Sequence, residues 1–354
     1  TILTYTLERF SQYHGIQPHI NAWQFRFYAD HSSAIQALKN NQIDTLAFLP
    51  WQAASDVKTE QIQQNIIQLP QESIAFFNTK ETLLRDQKLR SILARAIDRS
   101  ELSDLLSPHA TLVQTPFPLL TASSTTPPLS LEEARDALTV LGWVVDPTDT
   151  IRKFRPTPPP ATRRTRGTTP TPTTPPAFNT SSTVLAITID VPSQPDLVEI
   201  ADYLRRRWSL LGIRVTVAEK DPELLYREIV SRRTEYQVLV WNVLLPPSQD
   251  LTAFWKSSQA SGTGLNLSNT TDKEVDNALE AIRIATSTER IVAARERLVI
   301  AIQAQTPAIF IAQPAYTYLV NKRVRGVTDM KIAQPSDRLL HAKDWYIDSR
   351  WVWN

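Results

Sequence analysis

The stretch from residue 185 to residue 242 constrains this chain more than any other. It reads LAITIDV, DLVEIADYLRRRWSLLGI, RVTVAEK, PELLYREIVSRR and YQVLVWN in succession. The first, third and fifth pieces are short and rich in Val, Ile and Leu, as buried strands are. The second carries Leu197, Ile200, Ala201, Leu204, Trp208 and Leu211 three or four residues apart, which is one face of a helix. Gly212 stands where that helix must stop, because a left-handed residue closes a helix and glycine adopts it without strain. Strand, helix, strand, helix, strand predicts a parallel α/β sheet with helices on its faces. Open sheets of this kind bind ligands beyond the carboxyl ends of their strands. Residues 241–255 are therefore the first place to look for a site.

The remaining elements extend this α/β reading. Strands are predicted at 1–7, 23–28, 43–48, 66–69, 73–77, 307–312 and 316–320, and a short helix at 32–39. Residues 81–106 read as mostly helical. Ser130 with Glu133 three residues on is a capping box opening a helix that ends at Gly142 and Trp143. Two further helices are predicted at 272–283 and 288–303, and an aromatic-rich tail at 345–353. Residues 146–183 differ from everything around them: Pro and Thr dominate, with Arg152, Arg155, Arg163, Arg164 and Arg166 among them. Such a segment buries little apolar surface and reads as a disordered insertion.

Composition excludes several functions. A chain of 354 residues with 42% hydrophobic residues supports two domains. Its net charge of +2, with no basic stripe interleaved with aromatics, does not point to nucleic acid. No apolar run approaches the roughly 18 residues of a membrane span. The absence of cysteine removes disulfides, thiolate metal sites and cysteine nucleophiles, and is compatible with export. Seven glycines against 25 prolines, with no GxGxxG or P-loop, leave no phosphate cradle. The histidines at 14, 19, 31, 109 and 341 show no ligand spacing, so no metal and no cofactor is expected. No Gly-flanked nucleophile elbow occurs, so no catalytic residue is named and the chain does not read as an enzyme. It opens on Thr1 without a signal-peptide pattern, and reads as a processed or excised piece of something longer.

Several motifs in order resemble the family 5 extracellular solute-binding proteins, the oligopeptide- and dipeptide-binding components of ABC importers. Phe76-Phe77-Asn78 followed by LRSILARAIDR at 89–99 is similar to that family's "FN" and "AIDR" signature. LEEAR at 131–135 with Leu141-Gly142-Trp143 resembles its "ekAkaLLaeaGw" helix, and Leu211-Gly212-Ile213-Arg214-Val215 its "GIdV". The strand ending in Trp241, the stretch 266–279, and Pro307 through Asn321 to Gly326 match later family segments. Residues 27–44 look like the family's "aLksGeiD", with Asn41 where Gly is usual.

The resemblance implies an α/β, two-lobed fold of the periplasmic-binding-protein type II kind, with a partial first lobe. The first lobe would hold residues 1–80 and 310–354, the second 81–309, with the hinge at Asn78, Thr79 and Pro314. Ligand would lie between the lobes and favour the closed form. Candidate ligand residues are Trp241, Asn242, Leu244, Asp250, Trp255 and Tyr316. In peptide-binding members an acidic residue three positions after the Trp anchors the ligand's ammonium; here that position is Leu244, and the nearest carboxylate is Asp250. Trp241 reads equally well as core, and Asn242 as a turn cap. The expectation is an extracytoplasmic monomer, lipid-anchored through an N-terminal part not present here, that passes a peptide or other small polar ligand to a membrane permease. The alternative is a non-transport scaffold or interaction module with an altered cleft.

Overall fold

The computed structural model describes residues 3–49, 53–54, 57, 59–68, 70–107, 110–117, 127–155, 183–231, 235–246, 248, 250–262, 264–327 and 335–347. Strands β1 (Thr4–Glu8) and β2 (Ala22–Arg26) pair antiparallel as a separate ribbon. Helix α1 (His31–Lys39), capped by Asp30, precedes β3 (Thr45–Leu49), β4 (Ile62–Gln68) and β5 (Gln71–Phe77). Helices α2 (Gln87–Arg95) and α3 (Arg99–Leu106) lead to β6 (Ala110–Leu112). Asp98 separates the two by accepting from the Ser100 and Glu101 amides, a helix cap. Helix α4 (Leu131–Val140) opens on the Ser130–Glu133 capping box and leads into the hairpin β7 (Trp143–Val145) and β8 (Arg152–Phe154). Then come β9 (Ala186–Pro192), α5 (Pro195–Ser209), β10 (Arg214–Lys220), α6 (Pro222–Ser231) and β11 (Val238–Leu244). The chain continues through α7 (Thr252–Trp255), α8 (Lys273–Ile284) and α9 (Thr288–Gln305) to β12 (Ala308–Asn321), β13 (Val324–Arg325) and β14 (Tyr346–Ile347).

The organising stretch folds as its pattern predicts. Strands β10, β9 and β11 lie side by side and parallel. Helix α5 starts with Pro195 at its first turn and buries Leu197, Ile200, Ala201, Tyr203, Leu204 and Trp208 on one face. Gly212 ends it at φ +81°. A side chain there would meet the Thr150 carbonyl at 3.0 Å, so close approach as well as φ demands glycine.

Strand β5 joins this sheet antiparallel to β11, and the first half of β12 pairs with β5 on its other side. The second half of β12 pairs with β4 and β3. The two strands predicted at 307–312 and 316–320 are thus one strand that runs through Pro314. Pro314 lies past the last β5 pair, Ala312–Ser73, and at the last β6 pair, opposite Ala110, so it falls where both ladders end. One sheet half carries helices on both faces. On one side α2 to α5 bury Leu93, Leu102, Leu138 and Trp208; on the other α7 to α9 bury Trp255, Leu279, Leu298 and Ile302. The other half, built on β3, β4 and the end of β12, holds smaller cores around Tyr318 and Trp345 and around Leu38 and Leu319.

Two expectations are corrected. The chain passes between the sheet halves between Gln68 and Gln71 and again at Gln313–Ala315, not near residue 80. Asn78 and Thr79 lie inside the second lobe. The Asn78 amide donates to the Gln237 carbonyl and the Thr79 amide to Ser268, both at 2.9 Å. Pro314 lies in β12 between its pairing with β5 and its pairing with β4. The Pro/Thr-rich insertion also starts later than 146. Arg152 is 2% exposed and donates to the Leu211 carbonyl at 2.6 Å and to that of Trp143 at 2.5 Å. An arginine leaves water readily when it satisfies orphan carbonyls at a helix end, and composition does not register that. Lys153 bridges Asp146 and Asp149 beside it. Residues 156–182 of the insertion, and most of the aromatic tail, lie outside the described residues.

Candidate functional site

Strand direction brings one edge of the second lobe to the junction. Strands β9, β10 and β11 are parallel, so their ends at Pro192, Lys220 and Leu244 share an edge. Strand β5 is antiparallel to β11, so it starts at that same edge. The first half of β12 finishes there too, and its continuation carries the chain into the other lobe. This is the carboxyl-end position at which open α/β sheets bind ligands.

Three of the predicted site residues meet at this edge. Trp241 pairs with Ile74 and is half-buried, its ring set against the α7–α9 side of the core. It is not the last residue of the strand, which continues three residues further. Asn242 points to the opposite face, where its side-chain carbonyl accepts from the Ser73 hydroxyl at 2.7 Å. Leu244 is 52% exposed and stands opposite Gln71. The edge is sealed by the Leu245 amide, which donates to the Pro70 carbonyl at 2.6 Å, and by Gln68, which donates to the Thr111 hydroxyl across the junction at 2.6 Å.

The other three lie elsewhere. Trp255 is 4% exposed and wedged between Phe76 and Phe310, with ring centres 5.8 and 5.6 Å away, so it is core. Tyr316 is buried in the first lobe opposite Ile67. Asp250 precedes α7: bonds from the Thr252 side chain and amide hold its carboxyl below the usual range. The residue itself is exposed.

Sequence reasoning missed Glu72, the second residue of β5. It is fully buried, neither carboxyl oxygen has a hydrogen-bond partner, and desolvation pushes the group up to about 8. The signal was present: one acid heads the run ESIAFF, apolar after its serine, directly after a proline and a glutamine. Gln68 and Thr111 were missed because neither is unusual in a loop or strand end.

The two larger cavities among the described residues lie away from this edge. One of about 890 Å³ sits in the first lobe among Trp23, Phe25, Leu46 and Tyr318, and no edge residue lines it. A second of about 600 Å³ lies on β9 beneath α6, where Lys220 bonds both Asp190 and Glu228. Among the described residues no three His, Cys, Asp or Glu gather as metal ligands, and no helix is long and apolar enough to cross a membrane.

A helix-covered α/β lobe, crossed twice to a second sheet, with an indole and an amide at the crossing edge, defines a two-lobed periplasmic-binding-protein type II-like fold. The chain belongs to the bacterial extracellular solute-binding proteins, family 5, whose middle-region profile matches residues 4–264. No curated protein matches the sequence. Among solved structures, the oligopeptide-binding protein AppA from Bacillus subtilis, in complex with a nonapeptide, superposes with a TM-score of 0.74 at 16% identity, over 98% of this chain and 64% of its own. NikZ from Campylobacter jejuni, in complex with Ni(L-His), gives 0.76 at 18% identity over 97% and 65%. The periplasmic binding protein DppA from Helicobacter pylori, in complex with the peptide STSA, gives 0.74 at 14% identity over 98% and 60%. The chain thus spans somewhat under two thirds of the length of these neighbours.

Proposed function

We propose that this chain captures a peptide or similarly sized polar solute between its lobes, outside the cytoplasmic membrane, and delivers it to an ABC permease without covalent chemistry. The observation that carries this reading is the junction edge, where Trp241 offers an apolar wall and the Asn242–Ser73 pair offers polar groups. Family membership supports it, as do neighbours crystallised with peptides and with nickel–histidine. A monomer tethered at the cell surface or free in the periplasm fits that role.

A second reading is a scaffold or interaction module on the same fold. It is favoured by the exposed apolar Leu244 at the edge, with the Asp250 carboxyl bonded to Thr252. Native mass spectrometry of the purified chain, followed by thermal shift against a pool of tri- to pentapeptides, decides between them. A co-purified solute, or a melting temperature that rises and saturates with peptide, supports solute capture, because only binding to the folded form stabilises it. A folded chain with neither result supports the scaffold.

A further inference from the structure

The buried acid at the junction is the least explained group in the molecule. Glu72 stands opposite Val243 and shares a sheet face with Ile74 and Phe76. Its carboxyl is fully out of water, two residues after Pro70, where the chain leaves the first lobe.

The charged groups on the elements packed against that face are engaged elsewhere, apart from the Nε of Arg295, which is buried without a hydrogen-bond partner. From α9, Arg295 lies over the Phe117 ring, 5.3 Å from its centre. From α8, Asp276 accepts the Ser257 amide and Glu280 pairs with Arg283. From α6, Glu228 is bonded to Lys220 and Glu223 to Arg227. At α7, Asp250 holds Thr252. Arg99 of α3 donates to the carbonyls of Val113 and Phe310. None of them bonds Glu72, whose oxygens have no partner.

We infer that Glu72 is a proton-operated latch on the junction between the lobes: its neutral carboxyl keeps the start of β5 packed, and rising pH loosens that end of the sheet and the crossing attached to it. A carboxyl released into water ionises in its ordinary range, near 4.5, whereas the packed one keeps its proton up to about 8. Between those values the opened form binds fewer protons. The opening equilibrium therefore moves toward the opened form about tenfold per pH unit across that window and is flat outside it. Opening is local because both ladders run out at this end: β5 pairs with β12 only as far as Ser73 and with β11 as far as Gln71, beyond which Leu245 bonds Pro70 and Gln68 bonds Thr111.

Hydrogen exchange between pH 5 and 8, corrected for the intrinsic rate at each pH, tests the latch. In the wild type, protection at residues 71–74 and 243–245 is expected to fall toward tenfold per pH unit, while residues 187–191 in the middle of β9 stay level. Glu72→Gln, which cannot ionise, is expected to remove the pH dependence; Glu72→Met is the second variant if Gln fails to fold. A level profile in the wild type, or an undiminished slope in the variants, overturns the latch. So does an equal loss of protection in β9, which would make Glu72 a burden on global stability rather than on the junction.

Discussion

The two lobes of this chain are packed on different principles. The lobe around β9, β11 and β5 is covered on both faces, and its largest side chains find polar partners as well as packing. Trp208 stacks on Phe77 and donates to the Leu93 carbonyl at 3.1 Å. Arg90 places its guanidinium against the carbonyls of Leu84, Gln305 and Thr306. The lobe around β3 and β4 has small cores, a cavity of about 890 Å³, and Leu3, Tyr5, Leu7, Phe10 and Phe27 facing water. Its own fully buried tryptophan, Trp345, leaves its indole nitrogen without a hydrogen-bond partner. The comparison teaches that the more fully covered half of the molecule carries the candidate edge, and that the less covered half lies across the junction from it.

Truncating the paired tryptophans breaks the comparison most sharply. Trp208→Ala is expected to cost about 3–5 kcal/mol, as large aromatic truncations do, and to lower the main melting transition. Trp345→Ala is expected to leave that transition in place and to raise exchange only around β4 and the end of β12. Equal effects on the main transition would show that the lobes fold as one. Within the strong lobe, Trp255→Ala should cost about 3–5 kcal/mol of stability. Trp241→Ala should leave melting nearly unchanged and reduce stabilisation by peptides, which separates core from cleft in one thermal-shift series.

Smaller changes sharpen the same contrast. Arg152→Met leaves the carbonyls of Leu211 and Trp143 without their donor. About 1–3 kcal/mol of destabilisation is expected, read by urea denaturation. An unchanged midpoint would return residues 146–155 to the insertion. Ser130→Ala removes one half of the α4 capping box and is expected to cost about 1 kcal/mol in the same assay.

Much of the strong lobe was legible because its signals are local. Gly212, the 3.6-residue spacing of Leu197 to Trp208 and the Ser130–Glu133 pair each act within a few residues, and all three appear in the structure as expected. Misread features depended on partners distant in sequence. Strand β5 looked like part of the first lobe because it follows β4 after a two-residue link, yet its neighbour is β11, far along the chain. Arg152 looked solvated because the carbonyls it serves belong to the end of α5. In the candidate site, Trp241 and Asn242 were picked out by family resemblance and by an expected strand end that in fact lies three residues further on. Glu72 was not, because alternation marks a face without saying that the face is dry.

Small-angle scattering of the purified chain with and without the peptide pool tests most directly whether the edge at Trp241 works against the other lobe. Saturating peptide is expected to reduce the radius of gyration as the lobes close, and Trp241→Ala to lose that change at the same peptide concentration. Peptide bound by mass spectrometry with an unchanged radius, or full closure in Trp241→Ala, would contradict the account.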